Sequence, residues 1–210
     1  MRTAVIVAGG DPVPAEVLED LPGGAWVVAA DSGADHARSL GLDVDVIVGD
    51  LDSITPATLA AFPEAEVHSH PVDKDATDLE LAIALVSDTH DIDRVVVIGG
   101  TGGRLDHFLA NAMALAAPRF SHLDIVWIAH PGRATIVHRH ARLHGSVGDQ
   151  ISLVPVGGDV VGVRTTGLRW ALDGDDLPFG TSRGVSNTFS SSVAAVTIES
   201  GVLLVVQPVG

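Results

Sequence analysis

Short runs of consecutive apolar, mostly β-branched residues, each stopping at a loop rich in glycine and aspartate, constrain this chain most. The runs lie at 3–8, 25–30, 44–48, 95–98 and 125–129. A strand with water on one face alternates apolar and polar residues, whereas a strand covered on both faces need not. Uninterrupted Val and Ile therefore predict a parallel sheet buried between helices. The intervening segments read as those helices. Residues 79–86 are apolar nearly all round and predict a buried helix. Leu105, Phe108, Leu109, Ala112 and Met113 repeat at the i, i+3, i+4, i+7, i+8 spacing of one helical face. The pattern is that of an α/β layer: an open, mostly parallel sheet with flanking helices.

After His130-Pro131-Gly132 the pattern changes. Only strand-like segments follow, at 135–138, 150–154, 160–164, 193–198 and 202–206, with turns at Gly157-Gly158 and Asp173-Gly174. This predicts a small all-β unit, a sandwich or partial barrel. The expected division is an α/β domain over 1–130 and a β domain over 131–210.

Charge narrows the function. The 210 residues carry 27 acids against 12 bases, a formal charge of −15. Such a surface repels nucleic-acid backbones. It also means that any phosphate substrate needs a local counter-charge, for which a divalent metal is suited. The chain has no cysteine, which excludes disulfides, thiolate catalysis and cysteine zinc sites. The first apolar run is too short for a signal peptide and ends at Asp11, and no apolar stretch approaches bilayer length. A soluble, cytoplasmic protein that binds neither membrane nor nucleic acid is expected.

In open α/β sheets, working residues gather just beyond the carboxyl ends of strands. Here those ends are acidic: Asp31-Ser32-Gly33-Ala34-Asp35, Gly49-Asp50-Leu51-Asp52-Ser53, Asp73-Lys74-Asp75-Ala76-Thr77-Asp78, and Gly99-Gly100-Thr101-Gly102-Gly103-Arg104-Leu105-Asp106. Each loop alone has an ordinary explanation, since Asp and Gly form turns and acids favour helix starts. Thr77 with Glu80 is also a capping-box pattern. Four acidic loops at one edge are harder to explain without a bound cation, because like charges repel. Asp50 and Asp52, two apart, point the same way in an extended loop, a geometry suited to Mg2+. Lys74, the only lysine, and Arg104, beside a glycine-rich turn, suit phosphate oxygens.

Other motifs fail. Lys74 is followed by Asp75, not the Ser or Thr of a Walker A loop, and Leu105 takes the last glycine position of G-x-G-x-x-G. The stretch from Gly184 lacks the final glycine of a nucleophile elbow. His138, His140 and His144 alternate, but no further ligand clusters with them, which favours solvated histidines over a zinc site.

The ordered set of these acidic loops resembles the thiamine pyrophosphokinase family. So do Ile151-Ser152-Leu153-Val154-Pro155, Thr166-Gly167-Leu168-Arg169-Trp170 and Thr181-Ser182-Arg183-Gly184-Val185-Ser186-Asn187 in the β part. The likeness spans nearly the whole chain. It implies an ATP- and Mg2+-binding α/β domain, a thiamine-binding β-sandwich, and a homodimer whose sites combine the first domain of one subunit with the second of the other. It further implies that Asp31, Asp50, Asp52, Asp75 and Asp78 surround metal and phosphates. Ser32, Ser53, Lys74, Thr77 and Arg104 would meet ATP, and Trp170, Ser186 and Asn187 would meet thiamine. Asp50, Asp52, Asp78, Arg104 and Asp106 would serve the reaction, with Asp78 and Asp106 both open as proton acceptor. Lys74 stands where members carry glutamine, Ser32 stands where glycine is common, and His107 has no assigned role. A pyrophosphokinase for another hydroxymethyl heterocycle, such as a pterin, and a non-catalytic sensor are the alternatives. Trp170 with Ser186-Asn187 favours thiamine over the first, and the intact set of acids argues against the second.

Overall fold

The computed structural model describes residues 2–73, 75–89, 91–102 and 104–208. The chain forms two compact units, Met1–Leu115 with Trp127–His130, and Ala116–Val126 with Pro131–Gly210.

The first unit is built on strands β1 (Arg2–Ala8), β2 (Trp26–Ala30), β3 (Val46–Gly49), β4 (Glu66–Ser69) and β5 (Ile92–Ile98), joined by the last residues of β6 (Asp124–Ala129). Their order is β6-β5-β1-β2-β3-β4. The pairings β1–β2, β1–β5, β2–β3 and β3–β4 are all parallel. Ala4 to Ala8 and Val95 to Ile98 are buried at every position, which is why these runs do not alternate. The connections carry α1 (Gly33–Leu40), α2 (Pro56–Leu59), α3 (Asp78–Asp88) and α4 (Leu105–Leu115). Helix α3 buries Leu79, Ala82, Ile83 and Val86 against the sheet, and Thr77 caps it by accepting the Glu80 N–H at 3.2 Å. From β1 the chain builds toward β4, then returns to place β5 on the opposite side of β1. That reversal opens a crevice beyond the carboxyl ends of β1 and β5.

Helix α4 differs from its sequence pattern. The spacing predicts a buried stripe of Leu105, Phe108, Leu109, Ala112 and Met113. In the structure Asn111, Ala112 and Leu115 are buried, while Leu105 is 71% exposed and Leu109 and Met113 are each 50% exposed. Asn111 turns inward because its amide donates to the Gly100 carbonyl at 3.0 Å. No helix among the described residues is long and apolar enough to cross a membrane.

The second unit pairs two antiparallel sheets. One orders β12 (Asn187–Thr188), β9 (Gln150–Pro155), β14 (Leu203–Pro208) and β7 (Gly132–Val137). The other orders β11 (Asp173–Leu177), β10 (Val160–Thr166), β13 (Val193–Thr197) and β8 (His140–His144). Ile151, Leu153 and Val205 from the first sheet share one core with Leu143, Val163 and Val196 from the second, the packing of a sandwich. Strand β11 occupies the segment that Asp173-Gly174 marks as a turn by composition. His138 lies between β7 and β8, off the strand that carries His140 and His144.

Candidate active site

The acidic pocket starts at the end of β2. Asp31 has φ 45° and donates its N–H to the Val48 carbonyl at 2.8 Å, so the chain turns sharply and the side chain is 7% exposed. Its neighbour at the end of the adjacent strand β3 is Gly49, at φ 151°. A Cβ on Gly49 would lie 2.9 Å from the Asp31 Cβ and 3.0 Å from Asp78 Oδ1. The absence of a side chain at 49 is therefore what lets two carboxylates from different loops approach each other.

Asp31, Asp50 and Asp52 each place a carboxylate oxygen within 4.8 Å of the other two. The Asp52 N–H donates to Asp50 Oδ1 at 3.3 Å, and the Ser53 hydroxyl donates to Asp52 Oδ1 at 2.9 Å. Asp31 Oδ1 is buried and accepts no hydrogen bond from the described residues. Burial pushes the Asp31 pKa up, the N–H of Ser32 opposes this in part, and the charges of Asp78, Asp50 and Asp52 push it further. A buried carboxylate with one oxygen unpartnered among the described residues, set close to two more carboxylates, is a poor arrangement for the protein alone. It is the all-oxygen donor set that a hard divalent cation takes.

The opposite wall is the loop between β5 and α4. It is braced from behind: the Trp127 indole N–H donates to Gly99 O at 2.7 Å, and Asn111 holds Gly100 O. It is also clasped to the loop after β1, through Gly100 N–H to Gly9 O at 2.8 Å and Asp11 N–H to Thr101 O at 2.7 Å. A Cβ on Gly9 would stand 2.1 Å from the Ser32 hydroxyl, so the bare glycine leaves that hydroxyl its present place between the β1 and β2 loops. Between the walls lies a cleft of about 320 Å³.

Of the residues singled out by sequence, Asp31, Ser32, Asp50, Asp52, Ser53, Thr77, Asp78 and Arg104 all line this cleft. Asp75 is exposed in the loop before α3 and is not among the lining residues. Asp106 does not line the cleft either. It grips Arg104, accepting from Nε at 3.1 Å and Nη2 at 2.6 Å, and this guanidinium holds its carboxyl well below the usual carboxylate range. Lys74 lies outside the described residues. The cleft also contains residues the motif reading did not single out: Gly9, Gly10, Asn111 and His107. The first two were legible, because Ala8-Gly9-Gly10-Asp11 follows β1 just as the other acidic loops follow their strands. Among the described residues, the three aspartates are the sole group placed to hold a metal, and no histidine joins them.

In the second unit Trp170 is 55% exposed, with the Arg169 guanidinium 4.9 Å from its ring centre. Asn187 is buried, and its side chain binds the backbone of Trp170. Ser186, at φ 61°, donates its N–H to the Ser152 hydroxyl at 3.0 Å.

Known proteins bear on both units. Residues 21–127 match the family pattern described as "Thiamin pyrophosphokinase, catalytic domain". Residues 135–204 match "Thiamin pyrophosphokinase, vitamin B1 binding domain". Thiamine pyrophosphokinase 1 of Oryza sativa subsp. japonica is 29% identical over 171 residues, which are 76% of this chain and 64% of that one. The chain thus spans under two thirds of the length of this plant relative. Thiamine pyrophosphokinase of Bacillus subtilis (strain 168) is 27% identical over 99% of both chains. The crystal structure of the Bacillus subtilis protein matches the fold with a TM-score of 0.87 over 100% of both chains, at 24% identity. A Lactobacillus plantarum protein of known structure gives 0.78 at 26% identity, again over 100% of both chains.

Proposed function

This chain belongs to the thiamine pyrophosphokinase family, and on that premise we propose that it transfers the β,γ-diphosphate of ATP to the hydroxyl of thiamine. The observation that carries the reading is the cleft itself, with three convergent carboxylates on one wall and Arg104 on the other. That is the charge pattern needed to hold a polyphosphate through a cation in a chain of net charge −15.

Asp31, Asp50 and Asp52 would hold Mg2+, with Asp78 close behind. Mg2+ bound there would neutralise phosphate charge and make the β-phosphorus more electrophilic. The residues of the chain do the rest. Thr77, Ser32 and Ser53 offer hydroxyls to the nucleotide, and Arg104 offers a two-pronged guanidinium to phosphate oxygens. The thiamine hydroxyl oxygen forms a bond to the β-phosphorus while the bond from that phosphorus to the α,β-bridging oxygen breaks. AMP leaves with the electron pair, and the hydroxyl proton passes to a carboxylate. Asp78 is favoured for that role because it lines the cleft, whereas Asp106 is engaged with Arg104. No covalent intermediate with the protein is required, since positioning and charge neutralisation supply the acceleration.

The second unit would take thiamine, with the exposed face of Trp170 offered to its flat rings and Ser186 nearby in sequence. We assign the active form to a homodimer that shares each site between subunits. The exposed apolar stripe of Leu105, Leu109 and Met113 on α4 supports an assembly, because such surface is costly to leave in water.

The deciding experiment is incubation of purified protein with ATP, Mg2+ and thiamine, with products read by mass spectrometry. Thiamine diphosphate and AMP are expected in equal amounts. Thiamine monophosphate with ADP, or no thiamine product, would overturn the reading.

A further inference from the structure

Arg104 stands immediately before α4 and lines the cleft, yet its guanidinium is turned onto Asp106, which does not. The contact is two-pronged, with Nε 3.1 Å from Oδ1 and Nη2 2.6 Å from Oδ2. A guanidinium meets two oxygens of a phosphate in this same way. Asp106 also sits in the first turn of α4, where the helix dipole favours an anion. One carboxylate thus supplies both things an arriving phosphate would supply: a pair of oxygens for the fork and negative charge at the helix start. Both side chains are largely exposed, at 68% and 64%, so the pair is held weakly and opens at little cost.

We propose that Asp106 is an internal phosphate mimic: it parks Arg104 at the rim of the cleft, and a bound polyphosphate takes the guanidinium from it. Asp106 is then a positioning residue that acts through Arg104. The inference rests on the cleft being the ATP site. It accounts for a guanidinium turned onto Asp106 and not onto the three convergent acids, and it leaves the site ready for a ligand with more oxygens than one carboxylate.

The test is a double-mutant cycle on nucleotide affinity at fixed Mg2+, by calorimetry, using ATP, inorganic triphosphate and adenosine as probes. Asp106→Asn should tighten ATP and triphosphate by about three- to five-fold, the scale of an exposed ion pair, and leave adenosine unchanged. Asp106→Glu should keep the affinity of the parent. In an Arg104→Met background the Asp106→Asn step should change ATP affinity by no more than about 1.7-fold, the level of independent sites. If Asp106→Asn folds poorly, Asp106→Ser gives the same comparison with a group suited to the first helical turn. Weaker or unchanged ATP binding on loss of the carboxylate overturns the proposal. So does an equal gain without Arg104, which would mark a general charge effect. A parent that binds neither ATP nor triphosphate would instead overturn the nucleotide reading of the cleft.

Discussion

The side chain of Asn187 closes a two-way clamp on the backbone of Trp170: Oδ1 accepts the Trp170 N–H at 3.1 Å, and Nδ2 donates to the Trp170 carbonyl at 2.8 Å. Oδ1 also accepts the Thr188 N–H at 2.8 Å. A buried amide so committed fixes the backbone that carries the exposed indole. Asn187→Ala should cost about 1–3 kcal/mol of stability, because backbone groups lose their partners. It should raise KM for thiamine while leaving KM for ATP unchanged. Thermal unfolding and separate titrations of the two substrates check this, and equal changes in both KM values would count against it.

Asp50→Asn and Asp52→Asn should each retain the fold and lose about 10²-fold or more in kcat, the scale of removing one electrostatic stabiliser. Melting temperature should hold or rise, since repulsion among Asp31, Asp50 and Asp52 falls. Chelation should abolish turnover in the parent and Mg2+ should restore it. Turnover at parental rates in either variant, or in excess chelator, would reduce these residues to turn formers.

Asp31 supplies a pH signature. Its native pKa lies above the ordinary carboxylate value, chiefly through burial. Between the ordinary and the raised value the native state keeps a proton that the unfolded chain has released, so stability without metal falls as pH rises through that window. Asp31→Asn should therefore melt higher than the parent at neutral pH in chelator, with the difference shrinking as the solution is acidified. Mg2+ should raise the melting temperature of the parent at neutral pH and do much less for the variant. Parallel melting curves from pH 7 to 4 would contradict this.

A shared site has a distinctive behaviour on mixing. Asp52→Asn impairs the acidic cleft, and Trp170→Ala impairs the proposed thiamine face. If each site draws on both subunits, a mixed dimer holds one doubly impaired site and one intact site. Co-expression should then recover about half of parental activity per mixed dimer. Activity no higher than the mean of the two single variants, in a verified mixed dimer, would show that each chain builds its own site.

Much of this architecture is local and was legible in sequence. The unbroken apolar runs of β1 and β5 are buried throughout because both faces of a central parallel strand are covered, and that requirement is written in the residues themselves. The cap of α3 by Thr77 is likewise local chemistry. So is the placement of aspartates just past strand ends, where turn formers and chemistry share the same residues. Other features needed the folded chain. Periodicity along α4 groups Leu105, Leu109 and Met113 on one face, but spacing says which side chains are neighbours, not what lies opposite them. Only the packed unit shows that face open and Asn111 turned inward. Asp173-Gly174 reads as a turn in isolation and instead opens strand β11, because β10 supplies hydrogen-bond partners. The approach of Asp31 to Asp78 depends on Gly49 leaving room between them. Sequence determined the residues and their local geometry. Distances between loops tens of residues apart are set by the sheet that carries them, and only the tertiary structure decides those.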